Sequence, residues 1–179
     1  MKRLFEYKIE DGEACITKYL GSGGDVVIPE EIASYLVTSI GEDAFYNNEL
    51  SSIDLSGVKN IGTWAFCNNK ITSVDLSGVK SIGYGAFCNN NLEAIILPDQ
   101  FRARTEEIFG FDEKELDNRN KKYIKKYVDK MRELYIKKLY KNSRKHGLIF
   151  EYITYYTYHE SYSSMLEEAV ALKNLINLY

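Results

Sequence analysis

The sequence predicts an α/β-type solenoid with a short parallel sheet along one wall, a β-hairpin cap at the N-terminus and an α-helical C-terminal cap or domain. Three observations predict it. Three ungapped blocks begin at Ile40, Ile61 and Ile82, 21 residues apart. Ahead of them, two alternating segments flank an Asp11-Gly12 turn. Behind them, after Pro98, helical periodicity replaces the repeat.

The blocks read IGEDAFYNNELSSIDLSGVKN, IGTWAFCNNKITSVDLSGVKS and IGYGAFCNNNLEAIILPDQ. Self-similarity at a fixed period marks a chain whose units cannot bury an apolar face alone and must stack to do so. Leu50, Ile53 and Leu55 follow a 1-4-6 spacing that turns three side chains inward on a strand entered from a turn. Ile71, Val74 and Leu76 repeat it, as do Leu92, Ile95 and Leu97. These strands are expected to lie ~4.8 Å apart in a parallel sheet. Ile40, Ala44 and Phe45, with their counterparts one and two blocks on, are expected to fill the opposite wall. Gly41, Gly62 and Gly83 stand where the chain bends, and the expectation is that glycine serves there by tolerating positive φ. The pairs Asn47-Asn48, Asn68-Asn69 and Asn89-Asn90 precede each strand. Asparagine both donates and accepts, so a stacked column can satisfy backbone groups that the turns leave open.

With these motifs in view, residues ~5–98 resemble BspA-type leucine-rich repeats, a bacterial family with units of the form LTSIxLPxxVTSIGxxAFxxN. VVIPEEIASYLVTSIGEDAF resembles the longer first unit of that family, and 16–32 its entry segment. The resemblance stops at Pro98. It implies a right-handed solenoid with a concave parallel sheet, used for protein or surface attachment, and it carries over no catalytic residue. The chain departs from many members in having no evident export signal.

At the N-terminus, Phe5, Tyr7 and Ile9 alternate before the Asp11-Gly12 turn, and Ala14 and Ile16 after it, as in a hairpin closing the first coil. Past Pro98, Asp112 with Glu115 three residues on is a helix-start signal. Ile124, Val128, Met131, Tyr135 and Leu139 then recur at helical spacing over residues 112–145, an amphipathic helix of roughly 30 residues. His146-Gly147 is expected to end it. The Tyr-rich EYITYYTYHESY is either helical or β-prone, and Leu166, Val170, Leu172, Leu175 and Ile176 mark a last helix. The domain division read from this is 1–98 for the solenoid with its cap and 99–179 for the helices.

Composition narrows the function classes. With 45% hydrophobic and 13% aromatic residues, the chain can bury a core. MKRLFEYKIEDGE lacks the apolar run of a secretory signal, and no stretch reaches the ~18 apolar residues of a membrane span, so a soluble cytoplasmic protein is expected. Cys15, Cys67 and Cys88 make an odd set without metal-ligand spacing, which fits a reducing compartment. Cys67 and Cys88 share one column of adjacent coils and could come within disulfide range, although buried thiols are the plainer reading. His146 and His159 lack partners at ligand spacing, and no phosphate loop, nucleophile elbow or dinucleotide fingerprint occurs. No enzyme, metal or cofactor is expected.

The net charge of −3 conceals a polarity. Residues 1–100 hold 7 basic and 14 acidic side chains, whereas 119–146 hold 12 basic and 2 acidic. Two distinct parts, or one part docking on the other, would produce it.

Three surfaces could carry function. The outward strand positions are Ser52 and Asp54, then Thr72, Ser73 and Asp75, then Glu93 and Ile96; they suit a basic or polar partner, or simply water. In I-G-x-x-A-F the two x residues face away from the core, which places Trp64 and Tyr84 on the surface of neighbouring coils. Those residue types dominate interface hot spots, unless C-terminal helices cover them. The third surface is the basic helix: Lys121, Lys122, Lys125, Lys126, Lys130, Lys137, Lys138 and Lys141, with Tyr123, Tyr127, Tyr135 and Tyr140 interleaved. Lysines with aromatics can hold a phosphate backbone, or they can form the wet side of a helix. The first reading is therefore a non-enzymatic protein-interaction module. Alternatives are a nucleic-acid-binding or nucleoprotein-inhibiting protein of the host-defence-antagonist type, bacterial or phage, and an adhesin-like surface fragment.

Overall fold

The computed structural model describes residues 4–141. Met1–Arg119 and Asn120–Tyr179 form separate compact units. Arg144, Lys145, His146-Gly147, His159, the Tyr-rich stretch and the expected last helix lie outside the described residues.

The hairpin pairs β1 (Phe5–Glu10) with β2 (Glu13–Tyr19) antiparallel, turning at Asp11 and Gly12 with φ of 50° and 78°. From there a solenoid of about four turns is built on parallel pairing. β2 pairs with β5 (Tyr35–Ile40), which pairs with β7 (Asn60–Ile61) and then β9 (Ser81–Ile82). The register of this ladder is the repeat itself, Ile40 opposite Ile61 and Ile61 opposite Ile82. On the leucine wall, β3 (Gly24–Val27) pairs with β6 (Leu50–Asp54), and β8 (Ser73–Asp75) with β10 (Ala94–Ile96). The continuous sheet expected on the leucine wall is thus two separate ribbons, and the long ladder runs along the isoleucine wall instead. A short antiparallel arm, β4 (Glu31–Ile32) on β5, lengthens the first coil.

The interior is one column of rings between two aliphatic walls. Tyr19, Phe45, Phe66 and Phe87 stack with centroids 5.0–5.2 Å apart. Leu50, Ile71, Leu76 and Leu92 are fully buried beside them, while Leu97 at the end of the last coil is half-buried.

Gly41, Gly62 and Gly83 do not have positive φ, contrary to the expectation. They are small because coils meet there. A Cβ on Gly62 would lie 2.6 Å from the Glu42 nitrogen and 2.7 Å from the Gly41 carbonyl carbon, both backbone atoms of the preceding coil. The left-handed positions lie two residues further on, at Asp43, Trp64 and Gly85, and again at Asn47, Asn68 and Asn89.

The asparagine columns act as expected. The Asn69 carboxamide is buried; its oxygen accepts from the Asn48 and Leu50 amides, and its nitrogen donates to the Phe45, Phe66 and Cys67 carbonyls. Asn90 repeats the pattern one coil on, with Ile71, Phe66, Phe87 and Cys88. The outer members form a surface chain, Asn89 donating to Asn68 and Asn68 to the Tyr46 hydroxyl.

Beyond Pro98 the core continues. A 3-10 segment (Asp99–Arg104) leads into α1 (Thr105–Phe109), ended by Gly110 with φ 82°. The Phe87 amide donates to the Ile108 carbonyl at 3.0 Å, as Phe66 does to Ala86 and Phe45 to Ala65. Phe109 and Phe111 extend the ring column at 6.0 and 5.5 Å. α1 therefore replaces the next coil and covers the open end. α2 (Glu113–Lys141) follows, its first turn capped by the Asp112 carboxylate accepting from the Glu115 amide at 2.8 Å. Arg119 anchors the start of α2: it lies over the Phe111 ring and donates to the Leu92 carbonyl. Among the described residues no helix is long and apolar enough to cross a membrane.

Candidate functional site: a loop edge and a strand face

The tight turns after each Ile-Gly step stack into one edge of the solenoid. Each turn is pinned to the next by its backbone: the Asp43 amide donates to Thr63, Trp64 to Tyr84, and Gly85 to Glu107. The left-handed residues Asp43 and Trp64 lie on the outside of these turns, while the alanine and phenylalanine that follow each of them are buried. Trp64, at φ 51°, lies in this column between Asp43 and Gly85. Its indole covers Gly85, where a Cβ would come within 2.6 Å of Nε1. Trp64 is 41% exposed and Tyr84 59%, and their rings meet edge to face at 6.3 Å. Tyr46 is a third exposed aromatic on this edge, held by the hydrogen bond from Asn68. Tyr46 stands one coil before Cys67 in the same column, and its aromatic character beside an outward-facing turn is the signal for it in the sequence.

Cys67 and Cys88 are bonded to each other across adjacent coils, with Cα atoms 4.7 Å apart. This corrects the plainer thiol reading. A repeat of 21 in register sets the two side chains directly opposite, and that separation lies within the disulfide range. Cys15 is a buried free thiol, its pKa pushed up by burial.

On the strand face the structure aligns two pairs, one on each ribbon. Val27 is opposite Asp54 and Asp75 opposite Ile96. The carboxylates have local duties, Asp54 accepting from the Ser56 amide at 3.0 Å and Asp75 from Ser77 at 2.8 Å. That explains Asp-Leu-Ser-Gly as turn chemistry. Val27 and Ile96 are 69% and 59% exposed. Ser52 is half-buried and donates to Asp25, as does Ser51; the two hydroxyls hold the Asp25 carboxyl below its ordinary value. Ser73 is exposed on β8. Val27 and Asp25 were missed because the first unit is longer: Asp25 pairs with Ser52 at a spacing of 27, not 21.

The lysines form a third group. Lys121, Lys122, Lys125, Lys126 and Lys130 are exposed on α2, with Tyr123 and Tyr127 exposed between them and Val128 buried. Lys137, Lys138 and Lys141 continue the same helix. Among the described residues no group of His, Cys, Asp and Glu side chains is placed to hold a metal.

Comparison with known proteins decides the family. The model of the BspA-type leucine-rich repeat region matches residues 26–127 in six copies. The chain belongs to the BspA-type leucine-rich repeat family. The match continues past Pro98 into the segment where α1 takes the place of a coil. Solved structures of similar fold include a T. pallidum leucine-rich repeat protein, 20% identical with a TM-score of 0.34, covering 54% of this chain and 81% of that one. A leucine-rich cell surface protein from Faecalibacterium prausnitzii is 21% identical with a TM-score of 0.31, covering 55% and 42%. A leucine-rich repeat protein from Bacteroides ovatus is 22% identical with a TM-score of 0.28, covering 56% and 41%. The chain therefore spans less than half the length of the last two. No curated protein sequence matches it significantly. Leucine-rich repeat proteins in general are interaction or surface modules.

Proposed function

We propose that this BspA-type chain is a non-enzymatic protein-binding module whose principal contact is the loop edge carrying Trp64 and Tyr84. One observation carries the reading: two large aromatics stand exposed on adjacent coils with their rings in contact with each other. Tryptophan and tyrosine supply rigid contact area at low entropic cost, which is why they dominate interface hot spots. Ser52, Ser73 and Ile96 on the strand face form a secondary contact. Asp54 and Asp75 contribute less, since each already caps its own turn.

The test is partner capture from the native host by the intact chain, compared with Trp64→Ala/Tyr84→Ala and with Lys121→Glu/Lys122→Glu/Lys125→Glu/Lys126→Glu. A partner lost at least tenfold by the edge variant and retained by the helix variant supports the proposal. A partner retained by the edge variant overturns it.

The exposed lysines and tyrosines of α2 favour a second reading, binding of a nucleic acid or nucleoprotein. Such binding would fall steeply with salt and be abolished by the helix variant. The Cys67–Cys88 bond favours a surface or otherwise oxidising location over the cytoplasm, since disulfides persist where thiols are not kept reduced. Thiol trapping in the native host, read by mass spectrometry, separates the two locations.

A further inference from the structure

We infer that the loop edge recognises a cationic segment of its partner, an arginine or lysine side chain laid on the Trp64 and Tyr84 rings with acidic groups on its flank. The inference rests on the interaction reading above and adds the chemistry of the occupant.

Charge is the first argument. The three turn segments, 41–48, 62–69 and 83–90, contain Glu42 and Asp43 and no lysine or arginine. Both acidic residues are exposed. The backbone bond from Asp43 to Thr63 sets them one coil before Trp64. On the other side of Tyr84, the bond from Gly85 to Glu107 brings in exposed Glu106 and its neighbour Glu107. Arg104 takes up both Glu107 oxygens and donates to the Ile82 carbonyl, which leaves Glu106 to supply the negative charge at that end. An aromatic face with carboxylates on both sides attracts a cation twice over, through the ring quadrupole and through Coulomb attraction.

Conformation is the second argument. The column that holds Trp64 contains Asp43 and Gly85 in the same left-handed backbone state, and these residue types enter it at low steric cost. A bulky indole does not. Trp64 occupies a strained position and still leaves its ring half in water, so core packing does not account for the residue. Contact with an external group does.

Trp64 is the single tryptophan of the chain, so its fluorescence reports occupancy of the edge directly. The experiment titrates the full chain with an arginine-glycine-serine repeat peptide and with the same peptide carrying glutamate in place of arginine. The expected result is a saturable change in Trp64 emission with the arginine peptide, at least tenfold tighter than with the glutamate peptide. Raising salt from about 50 to about 300 mM is expected to weaken it about tenfold. Glu42→Gln/Asp43→Asn, which keeps the left-handed turn because asparagine tolerates it, should weaken binding about fivefold, and Tyr84→Ala at least as much. Far-ultraviolet circular dichroism checks that each variant is folded.

Equal binding of the two peptides, or full affinity in Glu42→Gln/Asp43→Asn, overturns the inference. Loss of the native partner in Trp64→Ala/Tyr84→Ala without any response to the arginine peptide would overturn the cationic occupant while leaving the interaction reading standing. Salt-sensitive self-association that Tyr84→Ala abolishes would identify the occupant as the lysine-rich segment of a second copy, which also overturns the proposal of a separate partner.

Discussion

Replacing Asn69 by alanine should cost more stability than any other single polar change in the solenoid. Its buried carboxamide satisfies two amides, of Asn48 and Leu50, and three carbonyls, of Phe45, Phe66 and Cys67. Alanine removes the partner of the Asn48 and Leu50 amides and of the Phe45 carbonyl, whereas the Phe66 carbonyl keeps the Asn90 side chain and the Cys67 carbonyl keeps the Asn47 amide. Each unsatisfied buried backbone group costs about 1–3 kcal/mol. The two amides each have a single hydrogen to donate and are the harder to rescue, so the sum is about 3–5 kcal/mol after the turn relaxes. That is a large part of the ~5–15 kcal/mol typical of a domain. With a urea dependence of ~2 kcal/mol per molar, the midpoint moves down by about 2 M. Equilibrium unfolding followed by circular dichroism reads it. Asn89→Gly is the control: it keeps the left-handed backbone and removes one exposed bond, to Asn68, at a cost below about 1 kcal/mol. An Asn69→Ala protein within 1 kcal/mol of the parent would refute the reasoning, because the column would then be decoration rather than the satisfaction of the turns.

Three further outcomes follow from the same geometry. Gly62→Ala should lose about 2–4 kcal/mol, since the added carbon meets backbone of the preceding coil, whereas Gly12→Ala meets open space and loses about 1 kcal/mol from its positive φ; thermal unfolding ranks the two. Cys67→Ser/Cys88→Ser should lose about 3 kcal/mol, the loop-closure entropy for a sequence separation of 21, and urea unfolding with and without reductant should show the parent converging on the variant. Glu13 accepts a hydrogen bond from the Thr38 hydroxyl at 2.6 Å, which holds its carboxyl below the ordinary 4.5. Its contribution to stability is present above that ordinary value and is lost as pH falls through the lowered folded one; Thr38→Val should raise the Glu13 pKa in a carboxyl-carbon NMR titration.

The parts of this fold that repeat were legible before any coordinates. Period 21 placed Leu50, Ile71 and Leu92 in one column and the phenylalanines in another, because a stacked coil must offer the same side chain to the same neighbour. The Asp11-Gly12 hairpin and the Asp112 cap were equally readable, being local chemistry. What escaped depends on distances between coils. Gly62 looked like a bend residue and is a contact residue. Cys67 and Cys88 were seen to share a column, but only the backbone separation makes a bond of that. Departures from the period hid the rest: the β4–β5 arm shifts Asp25 and Val27 out of step with Ser52 and Asp54, and α1 carries Phe109 to the ring column 22 residues after Phe87 rather than 21. At the edge, the exposure of Trp64 and Tyr84 was read from the pattern, whereas the left-handed strain at Trp64 needed the structure.

Native-state hydrogen exchange of the Phe45, Phe66 and Phe87 amides tests most directly whether the coils share one interior. Each donates to the unit that follows it, at Ala65, Ala86 and Ile108. The account predicts that all three exchange only through global unfolding, with one common protection free energy that falls equally in Asn69→Ala. Independent protection of the three, or rapid exchange at Phe87, would mean that the coils and the α1 cover do not form a single stack, and the loop edge would lose its scaffold.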